Sequence, residues 1–387
     1  MTAYAVALSE HPDLAEATGE VVGRVLEALD GAGAPPDLAF LFVTPPHRDG
    51  LALAAETVRA SLGPHVLVGC AAESIVGGTR EVEQGPGVSL WAGYTGPVTP
   101  FHLTATRTPD GPTITGWPDI PPDSSGMVVL ADPFTFPVEV LLRRMEEDHP
   151  GLPLAGGMAM ASSVAGHNRL LIDGEVVSAG AVGVVLGPSV TVTTVVSQGC
   201  RPVGNPFVVT RAEGDVVYEL AGRPALERLG DIASALPEDE RMMLYRGVHL
   251  GRVINEHKTD FGRGDFLIRA VMGGDQESGA IQVGDQLEVG ATTQFQIRDA
   301  ESADEDLRQM VAATTGQAAL LFTCNGRGTR LFGPGRPDHD ATVLTDGLAG
   351  APVAGMFCAG EIGPVGGRNF LHGFTASVLL LSPSAGG

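Results

Sequence analysis

Residues 37–70 read DLAFLFVTPPHRDGLALAAETVRASLGPHVLVGC, two apolar bursts on either side of an Ala-rich stretch. Asp37 to Thr44 has the length and composition of a buried strand. Gly50 to Leu62 reads as a helix, and Pro64 to Cys70 as a second strand that stops in small residues. Strand, helix and strand at this spacing make a βαβ unit, whose ordinary solution is a parallel pair. Upstream, Leu14 to Leu29 carries apolar residues at helical spacing and stops at Asp30-Gly31.

The same reading extends outward. Gly87-VSLWAG and Val98-TPFHLTAT alternate as strands, and Met127-VVLADPF is a buried strand followed by a helix from Pro137 to Glu147. Leu171-IDGEVV is a hairpin, because Asp173-Gly174 suits a type I′ corner. Helices are expected at Pro224 to Leu236, Ala300 to Thr314 and Asp338 to Leu348. Strands are expected at Phe266-LIRAVMGGD, Ala318-ALLFTC, Val353-AGMFCAG and Phe370-LHGFTASVLLL. Strands outnumber helices, and hairpins mix with crossovers. The predicted fold class is therefore α/β with α+β character: two related domains of mixed, strand-rich sheets flanked by helices. A composition shift leading into Leu236-PEDERMM divides them into residues 1–221 and 222–387.

An internal repeat links the halves. Leu67-VGCAAESIVGG and Val353-AGMFCAGEIGPVGG each place an apolar strand before C-A-x-E, an Ile and a Gly-Gly pair. Leu154-AGGMAM is a third, weaker strand-to-Gly transition. Chance matching in a Gly/Ala-rich chain and duplication both account for such short patterns.

Composition limits the function classes. In 387 residues, 43% are hydrophobic and 18% charged, which fits a folded globular chain with ample core. A formal charge of -22, with Lys+Arg only 24, opposes nucleic acid and anionic membrane surfaces. The four cysteines, Cys70, Cys200, Cys324 and Cys358, are too sparse for a disulfide framework. The N-terminal segment lacks a basic n-region, and the apolar run from Ala179 to Leu186 is too short to span a bilayer. A cytoplasmic location, no membrane and no nucleic-acid partner are the expectations.

Candidate chemistry clusters at strand ends. Cys70 with Glu73, and Cys358 with Glu361, stand where two strands exit; each thiol is either an activated nucleophile or a small buried hydrophobe. Cys324-NGRGTR joins a thiol to a Gly-rich turn, in which Asn325, Arg327 and Gly328 could cradle a carboxylate or phosphate. Alternatively Arg327 pairs with a structural acid such as Asp299, and Gly328 only shapes the turn. Arg298 ends a strand and either enters a pocket or does not, while Asp299 suits a helix N-cap. The ten histidines form no metal-binding spacing, and no cofactor motif occurs, so neither a metal nor a cofactor is expected.

Several of these stretches together resemble a known family. Val68-GCAAESIVGG, Glu219-LAGRPALERL, Tyr245-RG, Val283-GDQLEVGATTQFQIRDA, Leu321-FTCNGRGTRLFG and Gly355-MFCAGEIGPVGGRNFLHGFTAS are similar to the FIST proteins (F-box and intracellular signal transduction). They span about residues 25 to 380 and include both the N-terminal and C-terminal FIST domains. The resemblance implies an intracellular sensory module for a small ligand, with amino acids proposed, and brings no catalytic scheme. Asn369 joins the candidate ligand residues from the last stretch. No recognisable output module is expected within the chain, so on this resemblance either the output is a separate signalling partner or the protein works alone in another capacity. The alternatives are a cysteine- or carboxylate-dependent hydrolase acting on a small polar substrate, and a non-catalytic interaction scaffold. Sensing is preferred over catalysis.

Overall fold

The computed structural model describes residues 3–29, 34–109, 111–258, 260–262 and 264–384; the Asp30-Gly31 helix stop lies outside them. The chain forms two compact units. The first comprises Met1–Val196, Leu307–Leu371 and Thr375–Gly387, and the second Ser197–Asp306 with His372–Phe374. Both arms of the sequence repeat fall in the first unit.

In chain order, the first unit starts with β1 (Tyr4–Ser9), α1 (Leu14–Ala28), β2 (Leu38–Val43), α2 (Leu51–Ser61) and β3 (Val66–Ala71). A hairpin of β4 (Ile75–Gly77) and β5 (Arg80–Val82) then leads to β6 (Val88–Gly93). Next come β7 (Val98–Thr108), β8 (Gly111–Thr115), β9 (Gly126–Ala131), α3 (Val138–Asp148) and β10 (Leu154–Ala159). The predicted hairpin follows as β11 (Leu170–Ile172) and β12 (Glu175–Val177), then β13 (Ala181–Leu186) and β14 (Val190–Gln198). Its corner residues Asp173 and Gly174 both have positive φ, as a type I′ turn requires.

The second unit follows with β15 (Cys200–Pro202), β16 (Phe207–Glu213), β17 (Val216–Leu220), β18 (Arg223–Pro224), α4 (Ala225–Ala235) and α5 (Glu238–Arg246). It continues through β19 (His249–Val253), β20 (Phe266–Asp275), β21 (Ala280–Val283) and β22 (Thr292–Arg298). Its pairings run β22-β16-β17-β21-β20-β19 and return to β22, every step antiparallel, so the sheet closes on itself. Val209, Val217, Leu250, Ile281 and Phe295 form its apolar cluster with residues of α4 and α5. The chain then passes through α6 (Ala300–Ala312), β23 (Ala318–Cys324), α7 (Thr329–Phe332), α8 (His339–Gly347), β24 (Val353–Val365), β25 (Arg368–His372) and β26 (Thr375–Pro383).

The first unit is three copies of one motif. The strand orders β1-β6-β2-β3, β7-β13-β9-β10 and β14-β26-β23-β24 have the same plan. In each, the last two strands are parallel and joined through helix, which is the βαβ unit of the sequence. The copies are linked cyclically. After its second parallel strand, each copy sends a segment to pair with the second parallel strand of another. β4 joins β24, β11 joins β3, and the C-terminal half of β24 joins β10.

A glycine marks the centre of every junction. Gly69 lies between Leu41 and Leu171, Gly156 between Val129 and Ile362, and Gly355 between Leu321 and Val76. A Cβ at these positions would stand 2.0, 1.9 and 1.8 Å from the carbonyl oxygens of Leu41, Val129 and Leu321. Only glycine lets the strands approach so closely. Aligning the copies on these glycines makes Cys70 the equivalent of Met356 and Ala72 the equivalent of Cys358, so the duplicated unit is real but C-A-x-E is not its register.

Helices cover one face of each copy. Val21 and Val25 of α1, Leu141 and Met145 of α3, and Val343 and Leu344 of α8 pack on their respective sheets. The opposite faces share one apolar cluster that includes Phe40, Phe42, Val68, Val128, Leu320 and Met356. Strands buried on both faces need continuous apolar runs, which is what β2, β9 and β23 carry.

Gly69→Ala and Gly355→Ala should each cost about 3 kcal/mol or more, because a backbone carbonyl cannot move aside as a side chain can. Gly19→Ala, with nothing within 4 Å of its new methyl, is the control and should be neutral or slightly stabilising in urea unfolding.

Candidate functional site

The carboxyl end of β23 turns abruptly. Cys324, Asn325 and Gly326 are half-buried, and the chain then dives so that Arg327 is only 1% exposed. Burying a guanidinium requires a matched carboxylate, and α8 supplies Asp340. Arg327 Nε donates to Asp340 Oδ2 at 2.7 Å and Nη2 to Oδ1 at 2.8 Å. Thr323 Oγ1 donates to the same Oδ2 at 2.7 Å, and His339 Nδ1 lies 2.9 Å from Oδ1. Phe332 stacks on the His339 ring at 3.5 Å and underlies the guanidinium at 5.3 Å. Burial alone would push the Asp340 carboxyl up; Arg327 and His339 together hold it well below the ordinary carboxylate range.

Two more buried carboxyls adjoin this pair. Glu81 of β5 accepts from the Ala341 N–H at 2.9 Å, and burial followed by the charge of Asp340 raises its pKa. Glu361 of β24 accepts from the Thr375 N–H at 3.1 Å and hydroxyl at 2.9 Å. Burial pushes Glu361 from 4.5 up to about 8, against the opposing pull of Thr375, Cys324 and Arg327. Several buried polar atoms around this cluster have no hydrogen-bond partner in the protein: Arg327 Nη1, both side-chain amide atoms of Asn325, Glu361 Oε1 and Glu81 Oε2. Buried polar atoms in folded proteins rarely stay unpaired, since each costs about 1–3 kcal/mol.

The turn itself is held by a fourth carboxyl group. Glu83 accepts from the Thr329 N–H and the Thr329 hydroxyl, both at 2.8 Å, at the start of α7. Gly328 has φ 57°, and a Cβ there would sit 2.7 Å from the Glu83 carboxyl carbon. Glycine at 328 is thus required both by conformation and by space.

The ten residues nominated from sequence separate into groups. Cys324, Asn325, Arg327, Gly328 and Glu361 belong to the polar cluster, and Cys358 is the ladder partner of Cys324. Cys70 is fully buried and donates to Met356 Sδ at 3.1 Å. Burial raises both the Cys70 and Cys358 thiols, which disfavours either as first attacker on a dissolved substrate. Glu73 is drawn to the surface by Arg330, whose other guanidinium nitrogen donates to the Asn325 carbonyl. Asn369 secures backbone, accepting from the Leu154 N–H and donating to the Leu152 carbonyl. Arg298 belongs to the second unit, where it lies over the Phe374 ring at 5.5 Å. Asp299 caps α6 and binds Arg201 at 2.7 Å, so the acid that pairs with Arg327 is Asp340 instead.

Asp340, His339, Thr323, Glu81 and Glu83 were not legible as site residues. A usable signal was the acidic pair Glu81 and Glu83 following the first Gly-Gly turn, in a hairpin that should otherwise favour apolar positions. A cavity of about 630 Å³ elsewhere in the first unit is lined by Ala105–Thr108, Gly111–Pro112 and Phe134–Pro137 and contains none of the ten. Among the described residues, no group of His, Cys, Asp and Glu is arranged to hold a metal ion, and no helix is long and apolar enough to cross a membrane.

A triplicated α/β unit interrupted by a closed antiparallel sheet, with a buried polar cluster at one strand end, is the class this architecture defines. The FIST N domain model matches residues 37–223 and the FIST C domain model residues 225–364, so the chain belongs to the FIST family. Neither matched model is an F-box, so that part of the expanded name does not apply here. FIST domains are associated with sensory roles in signal transduction. The chain is 44% identical over 381 residues to the uncharacterized protein Rv0628c of Mycobacterium tuberculosis, covering 97% of this chain and 98% of that protein. It is 43% identical over 375 residues to the uncharacterized protein Mb0898c of Mycobacterium bovis, covering 95% and 96%.

Arg327→Met should cost about 3–5 kcal/mol by leaving Asp340 charged and buried, and Arg327→Met with Asp340→Leu should recover most of that loss in urea unfolding. The Glu361 shift predicts a pH dependence of definite sign. Between its unfolded value of 4.5 and its folded value of about 8, the folded state holds a proton that the unfolded state has lost. Stability therefore falls as pH rises through that window, and Glu361→Gln should show a smaller fall than the parent chain when urea midpoints are compared across it.

Proposed function

We propose that this chain is a sensory protein that binds a small molecule, an amino acid or related small carboxylate, at the Cys324–Gly328 turn. The observation that carries the reading is the set of unpaired polar atoms gathered around the turn. Arg327 Nη1 and Asn325 Nδ2 are donors and Asn325 Oδ1 is an acceptor, while Glu361 Oε1 becomes an acceptor when an ammonium group displaces the proton that Glu361 otherwise holds below about pH 8. A ligand with one carboxylate and one ammonium group complements both kinds at once. Asp340 offsets the Arg327 charge, so Arg327 offers one directed hydrogen bond more than net attraction for an anion. The half-buried Cys324, Asn325 and Gly326 provide the approach from solvent.

Membership of the FIST family supports the sensory part of this reading. The signal passes to a separate partner, and no nucleic acid or membrane takes part. The net charge of -22 agrees with both exclusions. Thermal unfolding in the presence of the twenty amino acids and small carboxylates is the test. A true ligand at a hundredfold excess over its Kd stabilises by about 2.7 kcal/mol, a readily measured rise in Tm. The rise should vanish in Asn325→Ala. If no compound raises Tm at saturating concentration, the reading is wrong.

A further inference from the structure

Cys324 and Cys358 are direct partners in the parallel ladder of β23 and β24, the last pair in a register that begins at Ala319 and Val353. Paired residues on adjacent strands project to the same face with backbones about 4.8 Å apart. Disulfides span Cα separations of about 4.4–6.8 Å, so this backbone already suits one. Neither cysteine is in a disulfide. We propose that Cys324 and Cys358 form a redox-sensitive thiol pair, which hydroperoxides oxidise to a disulfide that resets the Cys324–Gly328 turn.

The two cysteines have unequal surroundings. Cys324 is half-buried at the strand end, where its sulfur accepts from the Gly326 N–H at 3.4 Å and is hydrogen-bonded with the Glu361 carboxyl. Of the two thiols Cys324 is the one open to solvent, which makes it the residue that meets the oxidant. Cys358 is fully buried one strand inward, as suits a resolving thiol. Its sulfur leans over Gly157, where a Cβ would stand 2.4 Å away. A change of χ1 rotamer swings that sulfur back across the ladder toward Cys324.

The chemistry balances without a metal or cofactor. The Cys324 thiolate attacks the terminal oxygen of a hydroperoxide, the O–O bond breaks, and Cys324 becomes a sulfenic acid while the alcohol leaves. The Cys358 sulfur then attacks the Cys324 sulfur, the S–O bond breaks, and the departing hydroxide takes a proton and leaves as water. Two thiols and one hydroperoxide thus yield one disulfide, one alcohol and one water. Cys70 is not an equivalent partner, because its ladder neighbours are Phe42 and Leu170 and its sulfur is engaged with Met356.

The turn is coupled to this pair through backbone. The Asn325 N–H donates to the Cys358 carbonyl at 2.8 Å, and the Gly326 N–H bond to Cys324 sulfur cannot survive unchanged once that sulfur is drawn toward Cys358. Oxidation therefore acts on the residues that present Arg327 and Asn325. The inference stands apart from ligand binding, since its readout is a covalent bond.

The test is mild oxidation of the full chain with hydrogen peroxide, alkylation of remaining thiols, and peptide mapping by mass spectrometry. A linked pair of peptides carrying Cys324 and Cys358, lost on treatment with dithiothreitol, is expected, together with altered hydrogen exchange over residues 324–330. Cys358→Ala should carry Cys324 onward to sulfinic acid, and Cys70→Ser should leave the linkage intact. A linkage that involves Cys70, or Cys324 sulfinic acid forming in the parent chain without any linkage, would overturn the proposal. The parent-chain map gives this answer even if a variant fails to fold.

Discussion

The first unit depends on three glycines whose missing side chains let parallel strands come into contact with a neighbour's carbonyl oxygen. Gly69, Gly156 and Gly355 each sit in the middle of a three-strand junction, flanked on both sides by Leu, Ile or Val. Close approach at these points fixes register, and register fixes which residues stand at the strand ends. In the third copy those residues are Cys324 and Cys358, with Arg327 just beyond. Thr44 and Asp132 follow the corresponding strands in the other two copies, and both are buried and hydrogen-bonded, Thr44 to the Gly85 carbonyl and Asp132 to Thr135 and Asn168. Among the described residues, the third copy combines a half-exposed strand end at Cys324 with the buried Arg327–Asp340 ion pair.

Much of this fold was legible because buried parallel strands have a strong signature. LAFLFV and VLVGCA admit no surface face, and a helix of the right length separates them. The repeat was also visible, but only approximately. Cysteine and glutamate caught the eye in C-A-x-E, whereas the physical constraint lay on the glycine preceding each, and the register shifts accordingly. A glycine's role depends on what stands opposite it, and that is not written locally. The closed sheet of the second unit was illegible for the same reason: its closure rests on the β19–β22 pairing, far apart in sequence.

The site was legible in its loops and illegible in its counter-charges. Arg327 invited the search for an acid, and the acid suggested from sequence was Asp299. The structure uses Asp340, which reaches Arg327 only because α8 packs across the end of β23. Glu81 and Glu83 come from the first copy and reach the third because β4 adds to β24. Charges supplied across a repeat boundary cannot be inferred from either repeat alone.

The cyclic exchange of strands also sets the order in which the protein can be completed during synthesis. β3 is satisfied once β11 has emerged, but β4 must wait for β24, and β10 for the segment ending at Ile362. Until nearly the whole chain has left the ribosome, these two apolar strand edges stay unpaired. Such edges are templates for pairing with other chains. The long separation between partners should make closure of the cycle a slow, late folding event.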